Sequence, residues 1–301
     1  MEEYSIRKLK KLADSLISYP EKYSEKKTPL LDMQCFLQSV LKCTKTYLFS
    51  HDDYILTEKE KSEIFKMFEK RKTGLPVAYI TGHKEFYNLD FYVNPHVLIP
   101  KPDTELLVEK ALEYIKENNF TNILDLCTGS GCIAVSVLKN LNNKIIMTAS
   151  DISENALKVA QINSRQLLTE EENKRIRFIH ADLFTPLSES VFFSENYDMI
   201  ISNPPYVPKD ITSQLLLDGR NEPRLALDGD YKCNTSDGTG LIAKLIPESF
   251  NRLKKGGMLL LECGEYNADK TEELLKKNAF SDTKIFYDLS GLKRVVTGLK
   301  I

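Results

Sequence analysis

The chain has 301 residues, which is more than one ordinary domain needs and enough for two. Hydrophobic residues make up 42% of it and charged residues 28%, a balance typical of a folded globular protein and not of a disordered one. The formal net charge of -2 disfavours a general electrostatic attraction to nucleic acid, although a local basic patch remains open. The charged opening residues and the lack of an apolar run of about 20 residues predict neither a secretory signal nor a membrane span.

The six cysteines and four histidines are the first candidates for metal ligands. No two cysteines form a Cys-x-x-Cys pair, which is the close spacing that structural zinc sites usually need. We therefore predict no metal site. The cysteines are expected to be reduced thiols in a cytoplasmic protein.

Residues 1–83 are predicted to form a small helical domain. Apolar residues recur at helical spacing in three stretches between Ile6 and Phe68, and charged positions separate them. Short polar connections between the stretches indicate a bundle of helices. Gly74 and Pro76 are expected to end the helical pattern.

Residues 84–98 are predicted to link the two domains. Two aromatic runs, Phe86-Tyr87 and Phe91-Tyr92-Val93, flank the segment Asn88-Leu89-Asp90. Aromatic runs on either side of a polar turn are typical of a β-hairpin.

Residues 99–301 alternate between strand and helix patterns and are predicted to form the catalytic domain. The predicted strands are residues 122–126, 145–150, 176–180, 197–202, 257–263, 284–288 and 293–299, and the predicted helices are residues 104–117, 132–141, 153–166, 239–254 and 267–278. Such alternation favours a largely parallel sheet covered by helices on both faces. The connection between the last two strands is too short for a parallel crossover, so these strands are expected to form an antiparallel hairpin. This α/β architecture, a seven-stranded doubly wound sheet with a terminal antiparallel hairpin, is that of the class I S-adenosylmethionine-dependent methyltransferases, but a fold alone does not fix the chemistry.

A glycine turn follows the first strand of this domain. The segment Cys127-Thr128-Gly129-Ser130-Gly131 lies between an apolar strand and a helix. Glycine allows positive φ and a close approach of the backbone to a ligand, and open parallel sheets bind ligands outside the carboxyl ends of their strands. The turn lacks the third glycine of the dinucleotide fingerprint and the lysine of a P-loop. A plain strand-to-helix turn is the alternative interpretation.

Two acidic residues end the next two strands. Asp151 lies 20 residues after Gly131, the distance at which an acid can accept the ribose hydroxyls of an adenosine-containing cofactor. The alternative is a helix N-cap, made by Asp151 or by Ser153. By the same geometry, Asp182 is a candidate to meet the adenine amino group.

The most specific segment is Asn203-Pro204-Pro205-Tyr206, which follows the fourth strand. Two prolines fix φ and disfavour the helical region for the residue before each of them, so Asn203 is expected to be extended. The Asn203 side-chain oxygen and the Pro204 carbonyl are candidates to accept both hydrogens of a planar NH2 group. Tyr206 offers a flat face for stacking. A proline-rich turn without function is the alternative.

Such a pair of acceptors would solve a chemical problem. An amide or aromatic amino nitrogen is a poor nucleophile because its lone pair is delocalised. Two well-placed acceptors stabilise the nitrogen as it gains positive charge, which favours the transition state over the ground state. No strong general base is needed, since the nitrogen becomes acidic only as a methyl group arrives.

Asn203-Pro-Pro-Tyr206 is shared by methyltransferases of nucleic-acid adenine and by the glutamine N5-methyltransferases of peptide chain release factors, the HemK/PrmC family. The chain resembles the second group in several further segments, which run from about residue 71 to residue 298. These segments are Tyr79-Ile-Thr-Gly82, Leu98-Ile-Pro100-Lys101-Pro102-Asp103-Thr104-Glu105, Glu222-Pro223-Arg224-Leu-Ala-Leu227, Gly256-Gly257, Glu262-Cys-Gly264, Asp288-Leu-Ser-Gly291 and Arg294-Val295. The chain departs from the pattern at Lys101, where arginine is usual, and at Cys127, where glycine is common. The segment of residues 228–237 is also longer than is usual in the family.

The resemblance implies transfer of a methyl group from S-adenosylmethionine to the glutamine of the Gly-Gly-Gln motif of release factors, with the helical domain helping to hold the factor. It implies that the catalytic and substrate-binding residues are Asn203, Pro204, Pro205 and Tyr206. It implies that the cofactor-binding residues are Asp125, Cys127, Thr128, Gly129, Ser130, Gly131, Asp151, Asp182, Leu183 and Asn203. The expected partner is the release factor, with no nucleic-acid substrate and no membrane, and the chain is expected to be a monomer.

Three alternatives to this function stay open. Ribosomal-protein glutamine methyltransferases share much of the pattern, so the protein substrate is less certain than the reaction. In an adenine methyltransferase the same loop would hold a flipped base, but the near-neutral charge and the lack of a basic target-reading domain weigh against it. The third alternative is a binding module without catalysis.

Overall fold

The computed structural model describes residues 3–21, 27–141, 145–187, 193, 196–218 and 221–301. The chain divides into two compact units. The helical unit comprises residues 1–83 and 213–221, and the sheet unit comprises residues 84–212 and 222–301. The hairpin expected to be a separate linker therefore groups with the sheet unit. Residues 213–221, which the sequence placed in the catalytic domain, group with the helical unit.

Helices and strands are numbered in chain order over the described residues. The helices are α1 (Ile6–Lys11), α2 (Ala13–Leu16), α3 (Pro29–Leu41), α4 (Lys45–Ser50), α5 (Glu58–Lys72), α6 (Val77–Thr81), α7 (Thr104–Asn118), α8 (Cys132–Lys139), α9 (Glu154–Leu167), α10 (Glu170–Asn173), α11 (Lys209–Leu215), α12 (Gly240–Arg252) and α13 (Ala268–Lys277). The strands are β1 (His83–Phe86), β2 (Leu89–Tyr92), β3 (Asn122–Leu126), β4 (Ile146–Asp151), β5 (Ile176–Asp182), β6 (Thr185–Pro186), β7 (Tyr197–Ser202), β8 (Leu253–Glu262), β9 (Phe280–Tyr287) and β10 (Lys293–Lys300). Short 3₁₀ turns occupy Leu216–Asp218 and Arg224–Ala226.

The helical unit packs the apolar faces of α1 to α6 around one core. Its fully buried side chains include Ile6, Leu9, Phe36, Leu37 and Ile64. The helical pattern was expected to end at Gly74 and Pro76, and α5 does end at Lys72, just before Gly74, but a further helix begins at Val77. Pro76 is the N-cap of the additional helix α6, a position where its missing N–H leaves no helical hydrogen bond unmade.

A buried ion pair joins two helices of this unit. Arg71 Nε donates to Asp32 Oδ2 at 2.7 Å, and each side chain is only 4% exposed. The Tyr19 hydroxyl and the Thr28 hydroxyl donate to the same carboxylate, at 2.9 and 3.0 Å. Asp32 thus satisfies a buried guanidinium that would otherwise be an uncompensated charge.

Replacing Asp32 should destabilise the helical unit strongly. We expect Asp32→Ala to lower the free energy of unfolding of this unit by about 3–5 kcal/mol, because Arg71 loses its buried partner. Asp52→Ala is the matched control, since it breaks an ion pair with the exposed Arg7 side chain and should change stability far less. Urea unfolding followed by circular dichroism measures both variants. Equal effects of the two substitutions would contradict the role of burial.

The turn of the β1–β2 hairpin begins one residue earlier than expected and is one residue shorter. The sequence placed the turn at Asn88-Leu89-Asp90, but Leu89 already belongs to β2. Tyr87 and Asn88 both have positive φ, 50° and 60°, as in a two-residue type I′ turn, whose twist matches that of the flanking strands. Phe86 and Phe91 are buried in the core of the sheet unit, which explains why the hairpin belongs to it.

The large sheet has the strand order β6-β5-β4-β3-β7-β8-β10-β9. Strands β5, β4, β3, β7 and β8 are parallel to one another. Strand β10 pairs antiparallel with both β8 and β9, so the expected terminal hairpin is confirmed. The short strand β6, which the sequence did not indicate, adds an eighth strand antiparallel to β5.

Successive residues of the central strands enter two separate cores. Ile123 of β3 packs in the core that also contains Leu107 of α7, whereas Leu124 packs in the core with Ile242 of α12. This alternation places helices on both faces of the sheet, as the sequence predicted. None of the described helices is both long and apolar enough to cross a membrane.

Candidate active site

The candidate site lies where the parallel strands end. Leu126 at the end of β3 is in register with Ser150 of β4 and with Ser202 of β7. The residues that follow these positions, Cys127, Asp151 and Asn203, are therefore brought to one edge of the sheet. Ligands bind at this edge in open α/β sheets.

A cleft of about 1070 Å³, a volume that includes its solvent-open mouth, lies at this edge within the sheet unit. Most residues predicted for the site line it, namely Cys127, Thr128, Gly129, Ser130, Asp151, Asp182, Leu183, Asn203 and Pro205. Asp125, Gly131, Pro204 and Tyr206 were also predicted for the site but are not among the lining residues.

The glycine turn has the backbone conformation that its sequence suggested. Gly129 and Gly131 have φ of 55° and 79°, and Cys127 also has positive φ. A Cβ atom added to Gly129 would meet nothing within 4 Å, so this glycine leaves open space beside the backbone. A Cβ atom on Gly131 would lie 3.1 Å from the Cβ atom of Ala160 in α9. Gly129 therefore keeps the turn open, and Gly131 lets it pack against a helix.

Asp125 does not line the cleft but is hydrogen-bonded to this turn. Its Oδ2 atom accepts the Thr128 hydroxyl at 2.6 Å and the Ala134 N–H at 3.2 Å, and the residue is fully buried. Burial raises the pKa of Asp125 to about 7 in spite of these hydrogen bonds. Its position indicates that it shapes the turn.

Asn163 of α9 fixes the turn from the other side, and the sequence gave no reason to select it. Its Nδ2 atom donates to the Ser130 carbonyl at 2.9 Å and to the Tyr92 carbonyl at 3.0 Å. Its Oδ1 atom accepts the Tyr92 N–H at 2.7 Å. One buried amide thus joins the glycine turn to the β-hairpin.

Asp151 lies on the wall of the cleft with its carboxylate already oriented. One oxygen accepts the Gly129 N–H and the other accepts the Ser153 N–H, both at 2.8 Å. Ser153, not Asp151, is the N-cap of α9, because its hydroxyl accepts the Ala156 N–H. Each Asp151 oxygen keeps a lone pair for a hydroxyl donor in the cleft.

Three further residues predicted for the site, Asp182, Leu183 and Cys127, also line the cleft. Asp182 is exposed, and the neighbouring Leu183 has positive φ. Burial raises the pKa of the Cys127 thiol, so this side chain is neutral and adds no charge to the cleft.

The Asn203–Tyr206 segment, called the catalytic loop below, is held at several points. Asn203 Nδ2 donates to the Thr104 hydroxyl oxygen at 3.2 Å, which leaves the amide oxygen of Asn203 available. The Tyr206 hydroxyl donates to Glu262 Oε1 at 3.2 Å. The Tyr206 carbonyl accepts Asn267 Nδ2 at 3.0 Å and the Tyr266 hydroxyl at 3.2 Å. The Tyr206 ring packs against the core.

Residues 222–238 form a wall against the catalytic loop. Val207 N–H donates to the Leu227 carbonyl, and Gly229 N–H donates to the Val207 carbonyl, both at 2.9 Å. A Cβ atom on Gly238 would lie 2.0 Å from the Tyr206 carbonyl oxygen, so only glycine fits there. Buried Asp230 accepts the Gly238 N–H at 2.9 Å, and Tyr231 lines the cleft. Residues 228–237, whose role could not be predicted from the sequence, therefore belong to a segment that supports the loop.

Thr104, Glu262 and Asn267 were not selected from the sequence as site residues. Their only signal was that Thr104 and Glu262 lie in segments that resemble the HemK/PrmC family. An acid at the end of an apolar strand, as in Glu262, is the pattern that marked Asp151 and could have marked Glu262 as well. Over the described ranges, no three His, Cys, Asp or Glu residues are grouped so that they could hold a metal ion.

Comparisons with known proteins give the enzyme class. Residues 102–219 match the family model "Methyltransferase small domain", and residues 22–82 match "PrmC N-terminal domain". Among solved structures, a methyltransferase from Pyrococcus furiosus is similar in fold, with a TM-score of 0.50, 18% identity, and coverage of 81% of this chain and 99% of that chain. The catalytic domain of hMettl16 in complex with an RNA hairpin has a TM-score of 0.54 and 13% identity, covering 82% of this chain and 85% of its own. The chain is thus a methyltransferase of the doubly wound α/β class.

Relatives of higher sequence identity assign the chain to a particular family of methyltransferases. Release factor glutamine methyltransferase of Koribacter versatilis is 35% identical over 97% of this chain and 98% of the relative. The proteins of the same name from Leptospira interrogans and Clostridium acetobutylicum are 36% and 34% identical, covering 94% and 89% of this chain and 96% and 90% of their own lengths. The chain belongs to the release factor glutamine methyltransferase family.

The close packing of Gly131 against Ala160 predicts the effect of substituting this glycine, and the same substitution at Gly291 is the control. Gly131→Ala and Gly291→Ala both place a side chain at φ of 79°, but a Cβ atom on Gly291 would meet nothing within 4 Å. In both variants, positive φ at a residue with a Cβ atom should lower the free energy of unfolding by on the order of 1–2 kcal/mol. Only Gly131→Ala should also displace α9. We expect a larger fall in melting temperature for Gly131→Ala, together with weaker binding of S-adenosylhomocysteine by calorimetry. Equal melting temperatures with unchanged binding would refute this account of the turn.

Proposed function

We propose that this chain transfers a methyl group from S-adenosylmethionine to the side-chain amide nitrogen of the glutamine in the Gly-Gly-Gln motif of peptide chain release factors. The observation that carries the proposal is the orientation of Asn203 at the edge of the cleft. Its amide nitrogen is engaged by Thr104, so its oxygen is the atom available to a ligand. The printed names of the relatives support the glutamine and the release factor as the acceptor.

The residues that line the cleft fit the proposed cofactor. The two oriented oxygens of Asp151 suit a pair of ribose hydroxyls, and the open space beside Gly129 lets a ligand approach the backbone. Asp182 is the candidate acceptor for the adenine amino group. When bound, S-adenosylmethionine supplies a methyl group activated by a positively charged sulfonium.

The catalytic loop would activate the amide through two acceptors. We assign the Asn203 side-chain oxygen and the Pro204 carbonyl to the two hydrogens of the glutamine NH2 group. Both acceptors stabilise the nitrogen more strongly as it gains positive charge, which lowers the barrier selectively. The nitrogen gains the methyl group and loses one proton, and that proton becomes acidic only as the new bond forms.

The helical unit is proposed to hold the release factor. Its residues 22–82 match the family model named for the N-terminal domain of this family, which supports a role specific to the family. We place the enzyme in the cytoplasm, where release factors act, and propose that it works as a monomer on protein and not on nucleic acid.

Mass spectrometry of the release factors from cells that lack this gene tests the function. We expect the Gly-Gly-Gln glutamine to lose one methyl group on deletion and to regain it when the gene is restored. In the purified system, radiolabel should pass to the release factor and not to RNA, DNA or ribosomal protein. Label in any of those three acceptors but not in the release factor would overturn the proposal.

Removing the Asn203 amide should impair turnover more than cofactor binding. Asn203→Ala is expected to lower kcat on the order of 10²-fold or more, because one transition-state hydrogen bond is lost. Asn118→Ala, which removes an exposed amide at the end of α7, is the control and should keep full activity. Calorimetry with S-adenosylhomocysteine should give similar affinities for wild type and Asn203→Ala. Near-normal kcat in Asn203→Ala would rule out the role of Asn203.

Asp151→Ala should show the reverse pattern. Loss of the carboxylate removes the proposed ribose acceptor and the partner of the Gly129 N–H, so the dissociation constant of S-adenosylhomocysteine should rise. Asp269→Ala, at an exposed carboxylate of α13 that pairs with Lys293, is the matched control. Unchanged affinity in Asp151→Ala would remove this residue from the cofactor site.

A further inference from the structure

The wall of residues 222–238 contributes one aromatic side chain to the cleft. The residues of this wall that line the cleft are Pro223, Leu225, Ala226 and Tyr231. None of the four side chains is charged near neutral pH except at the strongly alkaline range of the tyrosine hydroxyl, and Tyr231 alone has a flat ring. Tyr231 lies in residues 228–237, the segment that is longer than is usual in the family, so the pattern of the family does not assign it a role.

Two buried carboxylates fix the backbone that leads into Tyr231. Asp228 and Asp230 are each 2% exposed. Asp228 Oδ1 accepts the Asp230 N–H at 3.1 Å, and Asp230 Oδ2 accepts the Gly238 N–H at 2.9 Å. The Tyr231 N–H donates to the Asp228 carbonyl at 3.3 Å. Because a buried carboxylate is costly unless it is hydrogen-bonded, these contacts hold the segment in one course.

The two residues that follow also hold Tyr231. Lys232 has a positive φ of 54°, and its Nζ atom lies 5.1 Å from the centre of the Tyr231 ring. Cys233 Sγ donates to the Tyr231 carbonyl at 3.3 Å. Tyr231 is therefore held at its N–H, at its carbonyl and at its ring, and it still lines the cleft.

The wall contacts the catalytic loop and not the proposed cofactor residues. A Cβ atom on Gly229, two residues before Tyr231, would lie 2.7 Å from the Tyr206 Cα atom. The catalytic loop follows β7, whereas Asp151 and Asp182 end β4 and β5, which lie beyond β3 in the sheet. We therefore place Tyr231 at the end of the cleft where the acceptor enters.

We propose that Tyr231 binds the backbone of the two glycines that precede the acceptor glutamine, and that its ring selects against a side chain there. The inference rests on the proposed function. A glutamine whose amide reaches Asn203 has its own backbone only a few bonds away, so the residues before it must lie against the walls beside the catalytic loop. Glycine has no Cβ atom, so its backbone can lie flat on an aromatic face, and a methyl group at the same position would meet the ring.

Tyr231→Ala tests the contact with the full-length release factor as the acceptor. We expect the KM for the factor to rise on the order of 10-fold, while affinity for S-adenosylhomocysteine by calorimetry stays within about twofold. Tyr231→Phe keeps the ring and should resemble the wild type, and a rise in KM as large as that of Tyr231→Ala would overturn the contact through the ring. Tyr287→Ala removes an exposed tyrosine of β9 and is the matched control, which should keep the wild-type KM.

Acceptor specificity separates this role from a merely structural one. The kcat/KM of each enzyme is measured for the natural factor and for a factor that carries Gly-Ala-Gln in place of Gly-Gly-Gln. The wild type should prefer Gly-Gly-Gln, and Tyr231→Ala should reduce this preference on the order of 10-fold, which is what one methyl group against a packed wall is worth. A variant that is only less stable would methylate both factors less and leave their ratio unchanged.

The outcomes distinguish the two proposals. If the wild-type chain does not methylate release factor, the proposed function fails. If the wild type is active and Tyr231→Ala keeps the wild-type KM and preference, the role of Tyr231 alone is overturned. A loss of affinity for S-adenosylhomocysteine that equals the rise in KM would also overturn it, because the contact would then be with the cofactor. If Tyr231→Ala does not fold, Tyr231→Leu, which removes the flat ring but keeps an apolar side chain, decides by the same two measurements.

Discussion

The alignment of parallel strand ends is the constraint on which the site depends. Main-chain pairing puts Leu126, Ser150 and Ser202 side by side, so the residues that follow them must emerge at one edge of the sheet. The glycine turn, the acid after β4 and the catalytic loop are far apart in sequence, and only this register brings them to one cleft. The buried apolar strands fix the register, because a shift by one residue would turn every core side chain to the other face.

Two buried carboxylates support the two loops that emerge from this edge. Asp125 lies behind the glycine turn and Glu262 lies behind the catalytic loop, and burial raises the pKa of each to about 7. Asp125 accepts the Thr128 hydroxyl and Glu262 accepts the Tyr206 hydroxyl, and each keeps one oxygen without a hydrogen-bond partner in the described structure. Burying a carboxyl costs free energy unless its hydrogen bonds compensate. In both places the gain is a loop held in one geometry, through Thr128 in the glycine turn and through Tyr206 in the catalytic loop.

The regular part of the fold could be predicted from the sequence, whereas the contacts behind the site could not. Strand and helix periodicity placed β3 and β7 at their observed bounds, and the short connection before β10 predicted the terminal hairpin. The hairpin turn was misplaced, because positive φ at Tyr87 follows from strand twist and not from the preference of tyrosine. Asn163 could not be selected, since its partner Tyr92 lies 71 residues away and the contact depends on the tertiary fold.

In the proposed mechanism, the catalytic loop presents two oxygen acceptors to a glutamine amide. A crystal structure with S-adenosylhomocysteine and a release factor, or a peptide containing its Gly-Gly-Gln motif, measures this most directly. We expect the glutamine side-chain nitrogen to lie about 3 Å from both the Asn203 side-chain oxygen and the Pro204 carbonyl oxygen. A glutamine nitrogen bound away from these two oxygens, or an Asn203 amide with its nitrogen facing the glutamine, would contradict it.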